Sequence, residues 1–362
     1  MYIFFSILTI LVMATFVVLS QSRFGKIPKG ERLERIKLSP NFKNGEFQNQ
    51  SFTPTFTGEK SKVKMMADFF FKKKVRVNPV DSIPSVKTDL SGLDAGKDFL
   101  VWFGHSSYFM QIDGKRMLVD PVFSGHASPF SWMVKAFPGS NPYSVADMPD
   151  IDYLFITHDH WDHLDYKTLT AFRPRIKKVI CGLGVGAHLE NWGFDPAAIV
   201  EMDWYDDYSL GSGWLVHATP ARHFSGRGLK RNRTLWVSFV LKTPSKNVFI
   251  GGDGGYDMHF AEVGRRFGPF DLAILEQGQY NEYWKHIHLM PSEVFKAAGD
   301  LKAKRLMPVH NSKFALSVHP WDEPLKEIVE NSKDYDIPLV TPVIGEAVHL
   351  NDTTRVFSHW WE

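Results

Sequence analysis

The sequence predicts one large α/β domain with helices outside packed sheets, and three observations lead there. From about residue 97 onward, short apolar runs alternate with turn signals and amphipathic stretches. No internal linker and no repeat of fixed period interrupts that alternation. Several of the apolar runs end in His or Asp, which sets polar chemistry at the ends of rigid elements.

Taken in order, Phe99–Phe103, Tyr108–Ile112 and Arg116–Val119 read as strands, with Asp113-Gly114 as a hairpin turn between the last two. Ile151–Ile156 is an apolar run that reads as a buried strand. Val179–Cys181, Trp214–Ala218, Leu235–Leu241, Val248–Ile250 and Leu272–Leu275 follow as further strands. Helical periodicity covers 164–172, 256–267, 292–301 and 322–334, and Pro291-Ser292-Glu293 is a good start for the third of these.

The N-terminal part differs. Residues 1–20 are apolar and uncharged, about the length that spans a bilayer. Arg23, Lys26, Lys29, Arg32, Arg35 and Lys37 all follow this segment, and no Lys or Arg precedes it. By the positive-inside rule it reads as an anchor that leaves the body in the cytoplasm. The alternative is a signal cleaved after Ser20, with export to the periplasm or envelope. Residues 21–80 read as an extended basic arm, and 81–362 as the catalytic domain. Within 67–76, Phe69-Phe70-Phe71 beside Lys72-Lys73-Lys74 reads either as a helix packing its Phe inward or as a surface dipping into an anionic bilayer.

Hydrophobic residues at 44% and charged residues at 23% fit an ordinary core, while the 29 Phe and 11 Trp suit a core or a lipid-facing surface. A net charge of +2 with no long basic stripe argues against nucleic acid as a partner. With Cys181 as the one cysteine, an intramolecular disulfide and a Cys-rich structural zinc site are both excluded.

The chemistry concentrates in Thr157-His158-Asp159-His160-Trp161-Asp162-His163-Leu164-Asp165. On a strand end, side chains two apart face one way, so His158 and His160 can share a metal, and Asp162 and His163 can reach a second. His223 follows the strand around Val216, Asp253 lies in a glycine-rich turn after Ile250, and His310 ends Leu306-Met307-Pro308-Val309. Four strand ends presenting His or Asp suit a dinuclear site. His217 and His286 are the neighbouring candidates on the same segments, and His126, His188, His259, His319, His349 and His359 read as ordinary.

This pattern resembles the metallo-β-lactamase-fold hydrolases, an αββα sandwich. Phe103-Gly104-His105-Ser106-Ser107 and Leu118-Val119-Asp120-Pro121 are similar to that fold's opening segments. Asp120-Pro121-Val122-Phe123, Ala127-Ser128-Pro129, His163-Leu164-Asp165-Tyr166, Gly184–Leu189 and His288 with Pro291-Ser292-Glu293 resemble the branch of N-acyl-phosphatidylethanolamine-hydrolysing phospholipase D and its bacterial relatives. The resemblance implies two Zn²⁺ per chain, with Mn²⁺ or Fe²⁺ as alternatives. His158, His160 and His223 would hold one ion, Asp162, His163 and His310 the other, and Asp253 would bridge. Asp120 would orient a ligand imidazole from behind, and His105 would do likewise or merely pack.

His288 would contact substrate or assist the leaving group, although Ile287 stands where the family typically has Gln. Tyr280 and Trp284 on the same loop read either as the lining of an acyl or glycerol pocket or as plain packing. The implied reaction is hydrolysis of a phospholipid to phosphatidic acid and an N-acylethanolamine, catalysed through Asp162, Asp253 and His288 at a membrane, with a homodimer as one compatible assembly. A lactonase, another ester or amide hydrolase or a soluble phosphodiesterase of the same fold is the rival. A non-catalytic metal-binding membrane scaffold is the alternative of another class.

Overall fold

Both faces of the central strands are apolar, and the computed structural model shows why. It describes residues 2–57, 64, 67 and 75–362. A seven-stranded sheet runs in the order β15-β3-β4-β5-β6-β7-β8 and a six-stranded sheet in the order β14-β13-β12-β11-β10-β9. The first comprises β3 (Phe99–Trp102), β4 (Tyr108–Ile112), β5 (Lys115–Val119), β6 (Ile151–Ile156), β7 (Ile176–Gly182), β8 (Ile199–Met202) and β15 (Ala347–His349). The second comprises β9 (Asp207–Gly211), β10 (Trp214–Pro220), β11 (Val237–Lys242), β12 (Asn247–Ile250), β13 (Leu272–Glu276) and β14 (Leu306–Val309).

Alternate residues point to opposite faces of a strand, so each apolar run divides between two cores. Leu100, Trp102, Met117 and Val119 meet Val216, Phe239, Ile250 and Ile274 between the sheets. Val101, Leu118, Leu154 and Ile156 point outward under α3 (Tyr166–Phe172) and α4 (Gly186–Asn191). On the other side, Phe249, Ala273 and Leu275 pack beneath α5 (His259–Phe267), α6 (Pro291–Asp300) and α7 (Glu323–Ser332). The result is the αββα sandwich. Asp113 (φ 45°) and Gly114 (φ 73°) supply the two positive φ angles that a tight hairpin between β4 and β5 requires.

The arm expected to be extended over 21–80 is folded and docked onto the domain over much of its first part. After α1 (Tyr2–Leu19), α2 (Gly30–Lys37) packs against the body and a short hairpin, β1 (Phe42–Lys43) with β2 (Glu46–Phe47), follows. Arg32 and Ile36, one helical turn apart, explain the docking. Arg32 pairs with Glu190 and Glu201, while Ile36 and Phe47 are buried in the core between the sheets. Among the described residues no helix is long and apolar enough to cross a membrane. The 18 residues of α1 give a helix about 27 Å long. That is just short of the ~30 Å hydrocarbon layer, and no charge interrupts the helix. The Phe and Lys segment around Phe69–Lys74 lies outside the described residues.

Candidate metal centre

The candidate ligands converge because one edge of the sandwich carries the C-terminal ends of β5, β6, β12, β13 and β14 together. His158, His160, Asp162 and His163 follow β6, His223 follows β10, Asp253 follows β12 and His310 follows β14. His158 Nε2 lies 2.9 Å from His160 Nδ1, which lies 3.2 Å from His223 Nε2. Nitrogens bound to one tetrahedral metal sit about 3.3 Å apart, so this trio has the size of a metal site. Asp253 stands between it and the remaining groups. Its carboxylate is 3.9 Å from His158 and His223, and 3.2 Å from His163 and His310. Asp162 lies 3.4 Å from His163 Nε2.

A second observation supports the fit to metal. His163 Nε2 is buried, faces Asp253 and Asp162, and has no hydrogen-bond partner among the described residues. Burial lowers the pKa of His158, His223 and His310, which keeps them in the neutral form that a metal ligand needs. Burial also works against charge on His163, but Asp253 and Asp162 overcome it and hold its pKa well above the usual value. Two cations would satisfy these carboxylates where protonated imidazole otherwise must.

The surrounding bonds fix the rings. Asp120 accepts from His163 Nδ1 at 2.8 Å and from the Thr157 N–H and hydroxyl at 2.9 and 2.6 Å. His223 Nδ1 donates to the Ile287 carbonyl at 2.8 Å, a contact for which the side chain at 287 is immaterial. His105, read as supporting a ligand or merely packing, bonds the Asp162 carboxylate at 2.8 Å, since the turn after β3 brings its Nε2 there. His105, Asp120 and His310 all have positive φ (53°, 40° and 68°), a conformation that costs non-glycine residues energy and clusters at functional sites.

Other residues join the site through contacts that only the folded chain makes. Glu276, at the end of β13, accepts a 2.6 Å bond from His288 Nδ1 and the N–H bonds of Gly254 and Leu289. Burial pushes its carboxyl up to about 7, against the pull of His288. Arg227 lies 3.9 Å over the Trp161 ring and donates to the carbonyls of Asp159 and Leu164, bracing the ligand loop. His188, read as ordinary, bonds Asp159 at 3.1 Å and accepts from the Lys26 N–H. His217 and His286 lie outside the cluster.

Above the cluster opens a cavity of about 390 Å³, lined by Phe56, Phe224, Trp284, Ile287 and Leu316, with Arg231 as its guanidinium. Tyr280 does not line it; its hydroxyl bonds Glu323 and its ring stacks on His319.

Comparison with known proteins agrees with this geometry. Residues 115–311 match the family described as beta-lactamase superfamily domain. An uncharacterised protein of Mycobacterium tuberculosis is 35% identical over 327 residues, covering 89% of this chain and 87% of its own. An N-acyl-phosphatidylethanolamine-hydrolyzing phospholipase D of Caenorhabditis elegans is 28% identical over 273 residues, covering 70% and 76%. Among solved structures, Igni18, a metallo hydrolase from Ignicoccus hospitalis, shares the fold at a TM-score of 0.54 and 19% identity, covering 70% of this chain and 97% of its own.

Proposed function

Because the chain belongs to the metallo-β-lactamase superfamily and is a metal-dependent hydrolase of that fold, we propose that it hydrolyses a phosphodiester bond of a membrane lipid. The favoured substrate is N-acyl-phosphatidylethanolamine. The observation that carries this reading is the apolar cavity opening directly over His160, His223 and Asp253 with Arg231 among its lining. A cavity of that kind suits a molecule with an acyl chain and one negative charge. The phospholipase D of C. elegans among the relatives points the same way.

His158, His160 and His223 would hold one Zn²⁺, and Asp162, His163 and His310 a second, with Asp253 between them. When bound, such ions activate water and offset charge on phosphoryl oxygens. The remaining work falls to the chain. Phe224, Trp284 and Leu316 hold the apolar part of the lipid and exclude water, and Arg231 faces the phosphate. His288 has its Nδ1 fixed by Glu276, which leaves Nε2 for the cavity it lines. Burial opposes charge on His288, but Glu276 raises its pKa above the ordinary value, so it can keep a proton for the departing oxygen. Water oxygen bonds to phosphorus as the bond to N-acylethanolamine breaks, leaving phosphatidic acid. We place this work at a membrane surface, with α1 in the bilayer interface and the catalytic domain on the cytoplasmic side.

The test is metal-counted, purified protein incubated with N-acyl-phosphatidylethanolamine in mixed micelles, beside soluble lactones and phosphodiesters. N-acylethanolamine release by wild type but not by His160→Ala is expected. Cleavage of a soluble compound with no lipid turnover would sink the lipid assignment and leave the hydrolase.

A further inference from the structure

The basic residues that follow α1 are not equivalent once the chain is folded. Arg32 is spent on Glu190 and Glu201, Arg35 donates to the Glu201 carbonyl and Lys37 pairs with Glu34. Arg23 turns inward to the Pro129 carbonyl. Lys26 and Lys29 remain, exposed and in no ion pair among the described residues.

Folding brings to them a second basic stretch from some two hundred positions later in the chain: Gly228-Leu229-Lys230-Arg231-Asn232-Arg233, which contains no acid. Lys230 and Arg233 join Lys26 and Lys29 around one concavity of about 550 Å³. Phe16 and Leu19 of α1 and Leu229 complete its lining, with Phe16 and Leu229 73% and 83% exposed. Among the described residues the one carboxylate lining it, Asp159, is buried and already held by His188 and the Gly226 N–H.

We propose that this surface docks the body of the protein onto an anionic phospholipid bilayer. Lys26, Lys29, Lys230 and Arg233, in no ion pair among the described residues, complement phosphate head groups around the hollow, and an exposed leucine at the loop tip with an apolar helix beside it complements the acyl layer. Nucleic acid would match the charge but not Leu229 or α1. The loop also joins the two hollows of the molecule. Lys230 and Arg233 face the basic one, whereas Arg231, between them, lines the cavity over the metal cluster. Docking through this loop sets the mouth of that cavity against the head groups. The proposal goes beyond the lipid-hydrolase reading and survives its failure, because it requires only that the bilayer be bound.

Full-length protein sedimented with phosphatidylcholine vesicles, with and without phosphatidylglycerol, tests it. Phosphatidylglycerol is expected to raise affinity by roughly five-fold per engaged cation, a gain that salt suppresses. Lys230→Glu with Arg233→Glu should abolish that gain, and Leu229→Ser should weaken binding to both vesicle types. The same reversals at Lys304 and Lys333, away from this surface, should leave the gain in place. Unchanged metal content and thermal midpoint show that each variant is folded. Equal binding to both vesicle types would overturn the proposal. So would an anionic gain lost equally in the Lys304 and Lys333 variant, or double-stranded DNA binding without vesicle preference.

Discussion

Asp120 concentrates three hydrogen bonds on one buried carboxylate, and the orientation of His163 depends on it. Replacement by Asn keeps the size but sets an amide N–H against a ring that needs an acceptor. Asp120→Asn is therefore expected to cost roughly 10–100-fold in metal affinity while the chain stays folded. Competition with a chromogenic chelator reads this, and an unchanged affinity would remove Asp120 from the ligand set's support. At this scale the ligands were legible in sequence because they are dense, His-x-His-x-Asp-His after an apolar run, or stand alone at a strand end like His310. Glu276, Arg227 and His188 were not. Each acts on a partner that only the folded chain supplies, and a lone charged or His residue in sequence gives no sign of which contact it will make. Glu276 could have been suspected as an acid terminating the apolar Leu272–Leu275.

Among the elements, the central strands were legible because their side chains are apolar on both faces, which leaves little ambiguity about burial. β9 was not: its side chains alternate between exposed and half-buried, and Asp207 and Gly211 have low strand propensity. α2 escaped because it is 8 residues long, and Leu33 with the buried Ile36 is a single apolar pair, too short to establish a period. The segment Ser22–Lys26 shows how much such a stretch can matter. The Trp192 indole N–H donates to the Ser22 carbonyl, Arg227 to the Arg23 carbonyl, and the Lys26 N–H to His188, the ring that holds Asp159 within the ligand loop. Gly25 makes this possible with a φ of 72°, and a Cβ there would lie 1.9 Å from His188 Nδ1. Gly25→Ala should cost about 1–3 kcal/mol and lower metal occupancy. Gly30→Ala, at a φ of 55° with open space around it, separates backbone strain from that collision. Equal midpoints for the two variants, read by thermal denaturation, would refute the clamp.

For the molecule as a whole, the metal cluster is a concentration of buried titratable groups at the seam of two sheets. Left without cations, Asp162 and Asp253 must be balanced by protonated imidazole, chiefly His163. Removing metal with a chelator should thus lower the thermal midpoint of the entire domain. Readdition should restore stability by about 1.4 kcal/mol for each tenfold excess over the dissociation constant. Calorimetry across a zinc titration measures it, and a midpoint indifferent to chelator would speak against a resident ion.

The clamp at Ser22–Lys26 also sets a length. Only Ser20 and Gln21 separate the end of α1 from Ser22, whose carbonyl Trp192 already holds. Fully stretched, two residues reach roughly 7 Å. The body therefore has no leash. Wherever α1 resides, the body that carries the cavity mouth is held close beside it, within roughly the 7 Å that those two residues span. A substrate sharing that layer would be met by lateral drift in two dimensions, with its orientation already half decided before contact.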